Sequence, residues 1–148
     1  MDGLVQWLRD QLDEDEQVAR AAGGGWRELP KNWVSLRSSG VGQAPAHRVA
    51  LVLDEGERAH IVRHDPARVL RELDAKRRIL ALYATAIEGR TALRARMREA
   101  IEKDSDEFTR LHRQESELLE MAGRMAPVVR LLALPYVDRP GYREEWRP

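Results

Sequence analysis

The fold class this sequence predicts is α+β: a small antiparallel sheet of two or three strands packed by helices, with a long C-terminal antiparallel helical hairpin. Three observations lead there. Leu4, Leu8 and Leu12 fall four apart, as on one face of a helix. Residues 26–54 hold tryptophan and valine in short runs divided by glycine, the pattern of strands and turns. From Leu111 onward leucine or methionine returns every seven residues, as in a coiled-coil seam. A chain of 148 residues suits a single domain. It reads as a helix, small sheet and short helix over 1–66, a helical hairpin over 66–134 and an extended aromatic tail over 135–148.

The first helix is expected over residues 3–22, with Asp2 as its N-cap and the glycines of AAGGGW as its end. WRELP, NWVSLRSS and HRVALVLD supply the strands, and SSGVGQAP is the glycine-rich connection between the last two. EGERAHIVRH then makes a short helix, capped by Asp54 with Glu57 three residues on. Asp65-Pro66 starts the next helix, because aspartate caps well and proline already has a helical φ at the first position. Leu73, Leu80 and Ile87 line it, and Gly89 interrupts a pattern that runs on towards Lys103. DSDE is a turn and a new capping box, Asp104 with Glu107. Beyond it Leu111, Leu118, Met125 and Leu132 form the seam. Phe108, Ala122 and Val129 fill the partner position, Glu115 breaks it, and Pro127 is expected to kink or end the helix.

Composition excludes several classes of function. Cysteine is absent, so disulfides, thiolate catalysis and thiolate zinc sites are out. Basic and acidic residues number 25 each, a balance that argues against a protein built to grip nucleic-acid phosphates and leaves little repulsion between copies. The opening MDGLVQWLRDQ has no secretory pattern and no apolar run is long enough for a membrane span, so a cytoplasmic protein with no membrane partner is expected. All the basic residues except Lys31, Lys76 and Lys103 are arginine, spread along nearly the whole chain. That spread fits a codon bias better than a site.

Two blocks, HIVRHDPARVLRELDAKRRIL (60–80) and VVRLLALPYVDRPGYREEWRP (128–148), resemble the signature blocks of an uncharacterised family of actinobacteria and their phages, a domain of unknown function. DGLVQWLRDQLDEDEQVAR resembles its usual opening. The resemblance implies a cytoplasmic actinobacterial or phage protein and supplies no activity. The closing block of that family usually has histidine where this chain has Arg139.

His60 and His64, four apart, are the candidate metal ligands, with Asp65, Glu57 and His47 as further donors. Ile61 stands where a zinc protease needs its glutamate, and His64 reads more simply as a helix-end residue, so no metal and no cofactor are expected. Arg68, Arg71 and Arg78 are the candidate nucleic-acid contacts. Glu72 and Asp74 neutralise part of that face, and no aromatic side chains interleave it. No nucleophile elbow, phosphate loop or dinucleotide fingerprint is present, and a non-enzymatic protein is expected. The reading is an interaction or adaptor protein that binds itself as a homodimer or binds another protein. Its contacts would be Leu111, Leu118, Met125, Leu132, Tyr136, Tyr142 and Trp146. Nucleic-acid binding through the arginines and metal binding through the histidines are the alternatives.

Overall fold

The computed structural model describes residues 3–23, 26–29, 33–36, 48–51, 54–101 and 103–148. Asp2, His47 and the SSGVGQAP connection lie outside them. Four helices dominate: α1 (Leu4–Ala21), α2 (Glu55–Arg63), α3 (Pro66–Ala100) and α4 (Ser105–Ala133). Three strands, β1 (Trp26–Leu29), β2 (Trp33–Leu36) and β3 (Arg48–Leu51), pair antiparallel in the order β1-β2-β3, with a register shift at Val34/Ser35.

The α+β expectation is corrected by these lengths: the fold is helical. Each strand is four residues long, whereas α1, α3 and α4 run for 18, 35 and 29 residues. Among the described residues the buried hydrophobic side chains lie on α1, α3, α4 and the C-terminal tail. Tryptophan and valine give residues 26–54 a β character in the sequence, but long amphipathic helices make up most of the described residues.

The chain divides into two compact units, residues 1–11 with 76–148, and residues 12–75, the division falling within α1 and within α3. In the second unit local capping sets the helix starts. The Asp54 carboxylate accepts the Glu57 N–H at 2.9 Å and caps α2. The Asp65 carboxylate accepts the Arg68 N–H at 2.7 Å, which starts α3 at Pro66, and its other oxygen accepts the Trp26 N–H of β1 at 3.4 Å. One aspartate thus joins a helix start to a strand. Among the described residues, Leu12, Ala19, Pro66 and Leu73 are its buried apolar residues.

The first unit contains the hairpin. α3 is unbroken through Gly89, and α4 carries Pro127 within it rather than ending there. Asp104 caps α4 by accepting the Asp106 and Glu107 N–H groups at 3.1 and 2.9 Å. The helices are antiparallel: Gly89 faces Leu118, Arg90 and Arg94 face Glu115, and Arg96 faces Glu107, so numbers rise on one helix as they fall on the other. Gly89 has a reason that its helix propensity hides. A Cβ there would stand 2.9 Å from Leu118 Cδ1, so the missing side chain lets the helices approach. After α4 the tail makes two single 3-10 turns, Leu134–Tyr136 and Glu144–Trp146, where an extended segment was expected. Among the described residues no helix is long and apolar enough to cross a membrane.

Candidate interaction surfaces

The seam of the hairpin faces inward. Leu111, Ala122, Val129 and Ala133 of α4 are buried, as are Leu80, Tyr83, Ala84 and Ala86 of α3, while Leu118, Met125 and Leu132 are half-buried. Ala122 and Val129 of the partner row therefore lie nearer the centre of the interface than Leu118, Met125 and Leu132 of the heptad row.

Glu115, the polar break in that row, is also buried. Its Oε1 accepts Nε–H from Arg90 at 3.1 Å and from Arg94 at 3.0 Å. Arg90 and Arg94 are one helical turn apart on α3, so two guanidinium groups clasp one carboxylate of α4. Burial by itself would raise the Glu115 carboxyl. The hydrogen bond from Arg90, the charges of Arg94 and Arg90 and the hydrogen bond from Arg94 outweigh it, and the carboxyl is held below its ordinary value of 4.5. A carboxyl lowered in the folded state stabilises the fold above pH 4.5 and ceases to do so as pH falls through the folded value. Glu115→Gln should cost about 1–2 kcal/mol at neutral pH, the Arg94 share being reduced by solvent screening. Urea unfolding at several pH values should show the gap between the two proteins closing below pH 4.5. A gap independent of pH would mean that the carboxylate charge contributes nothing.

The aromatic tail folds onto Trp7 of α1. Trp7 lies 6.3 Å from Tyr136, 5.7 Å from Tyr142 and 5.2 Å from Trp146, ring centre to ring centre. Its indole N–H donates to the Pro140 carbonyl at 3.1 Å. Gly141 makes this approach possible: its φ is +84°, and a Cβ there would lie 2.9 Å from Trp7 Nε1. Arg139, at the position where the resemblance expects histidine, donates to Gln11 at 3.2 Å and lies 4.9 Å from the Tyr136 ring centre. Tyr136 and Trp146 are buried and Tyr142 is half-buried. These three aromatics, like Leu111, are occupied within their own chain.

What α4 presents outward is a second apolar row. Met121, Val128 and Leu131 are exposed, as is Leu134 just past the helix end, with Leu119 of α4 and Leu82 of α3 also exposed. Met121 and Val128 are seven apart and Leu131 is three further on, so they share a side. Arg124 lies among them, neutralised by Glu120 at 3.2 Å. The sequence carries this signal in the nearly continuous apolar run VVRLLAL, which marks both faces of the helix as apolar without saying which one turns inward.

The remaining candidates are dispersed. His60 and His64 are exposed, their rings 4.4 Å apart and tilted by 36°. Among the described residues no group of three or more histidines, cysteines or carboxylates is placed to hold a metal. Asp65 is spent on its cap, and His64 ends α2, where its N–H donates to the His60 carbonyl at 3.0 Å. Arg68 gives its Nε–H to Glu72 at 2.6 Å and its Nη1–H to the Arg63 carbonyl at 3.2 Å. Arg71 and Arg78 are exposed, and neither Arg78 nor the adjacent Arg77 is free of partners.

Neither a curated protein nor a solved structure matches the chain. One family model does, and it spans residues 1–148. The chain belongs to that family, a family of unknown function (DUF6221).

Proposed function

We propose that this protein is a non-enzymatic interaction protein that pairs with a second copy of itself through the outer face of α4. The observation that carries the reading is the exposed row Met121, Val128 and Leu131, continued by Leu134 just past the helix end, on a helix whose other face is already filled by the hairpin. Arg124 and Glu120 cancel one another beside that row. The net charge of zero removes long-range repulsion between copies. The family resemblance of the 60–80 and 128–148 blocks supports a cytoplasmic actinobacterial or phage setting.

Sedimentation equilibrium on the Val128→Glu/Leu131→Glu double variant tests the reading. Two carboxylates in an apolar contact should weaken self-association by roughly a hundredfold or more. Helix content should stay constant, because both positions are exposed. A variant that keeps the mass of a pair would remove this face from consideration.

A further inference from the structure

We infer that the distal end of the hairpin is a docking groove for an acidic amphipathic helix of a partner protein. This goes beyond self-association and uses a different surface. Arg94, Met97, Arg98 and Ile101 follow the i, i+3, i+4, i+7 spacing, so they share one side of the α3 end, and Phe108 of α4 closes the opposite wall. Together they line a groove of about 320 Å³. Ile101, just past the end of α3, is 63% exposed. Met97 and Phe108 are half-buried.

The groove's shape and charge indicate its occupant. Two antiparallel helices leave a furrow that a third helix fills with its own apolar stripe. From Arg94 to Ile101 the floor runs about 10 Å, two helical turns. Among the described residues no carboxylate lines it. Arg98 has no ion-pair partner among the described residues, and Arg94, although clasped to Glu115, keeps a side chain that is 61% exposed. An incoming helix with leucines facing Met97, Ile101 and Phe108 and glutamates at its margin meets both guanidinium groups. The same end of a second copy does not suit the groove, because it would bring Arg94 and Arg98 against their own duplicates.

The test uses the whole chain and two fluorescent synthetic peptides with the same leucine stripe, one flanked by glutamate and one by lysine. Fluorescence anisotropy should show the glutamate peptide binding roughly tenfold or more tightly than the lysine peptide at low salt, with the preference shrinking as salt rises. Ile101→Glu should abolish binding, and Arg98→Glu should reverse the preference between the peptides. Val128→Glu/Leu131→Glu should bind the glutamate peptide as the unmodified chain does, so failure of self-association leaves this result readable. Equal binding of the two peptides would overturn the proposal. So would an Arg98→Glu variant with unchanged preference, or an Ile101→Glu variant that changes the mass of the assembly without changing peptide binding. Arg98 is exposed, so its substitution decides the matter even if Ile101→Glu disturbs the hairpin.

Discussion

Replacing Leu111 with alanine is expected to destabilise the protein by about 2–5 kcal/mol, as measured by urea unfolding followed by circular dichroism. Leu111 is 1% exposed, one turn before Glu115 and its clasp to α3. Truncation removes the transfer free energy of the leucine side chain and leaves a cavity between two long helices. Those helices are held in register on either side by Arg96–Glu107 and by the Glu115 clasp, so the site collapses poorly. Leu118→Ala should cost less, because Leu118 is only half-buried and its Cδ1 crowds the Gly89 position. The order of the two losses is the useful readout. Equal small losses would mean that the inward seam is not where α4 gains its stability.

The second large effect is expected at Trp146. It is 2% exposed, and its ring centre lies 5.2 Å from that of Trp7, tilted, and 6.0 Å from that of Tyr142, edge to face. Trp146→Ala should cost about 3–5 kcal/mol. The indole N–H has no hydrogen-bond partner among the described residues, so the side chain is held by apolar contact. Trp146→Phe should therefore recover much of the loss, since no buried acceptor is stranded by removing the N–H. Arg143 over the Trp146 ring contributes little beside this, being largely exposed. Thermal unfolding of both variants decides the point. A Trp146→Ala protein within about 1 kcal/mol of the unmodified chain would mean that the tail does not dock on Trp7.

The helix starts were legible in the sequence because capping is local chemistry. Asp54, Asp65 and Asp104 each accept N–H groups two or three residues ahead, and those residues are neighbours in the chain before any fold exists. The fold class was not legible. Trp26, Trp33, Val34 and Val49 carry strand propensity, but propensity does not report that helices make up most of the described residues and carry their buried hydrophobic side chains. Gly89 and Glu115 read as defects in their patterns. Each is explained by the opposite helix, through Leu118 and through Arg90 with Arg94, and no single-helix period contains that information. Trp7 and Pro140 are joined by a hydrogen bond across 133 positions, beyond any local pattern. The candidate contacts suffered from the same limit. Periodicity found an apolar stripe through Leu111, Leu118, Met125 and Leu132, but α4 has two apolar sides, and only the packing distinguishes the inner one from the row at Met121, Val128 and Leu131.

The most direct test of the interaction reading is the mass of the unmodified chain by sedimentation equilibrium over a wide range of protein concentration. Pairing through the outward row of α4 predicts a particle of twice 17.0 kDa that dissociates on dilution and on introduction of glutamate at Val128 and Leu131. A particle of 17.0 kDa at every concentration would contradict pairing through that row.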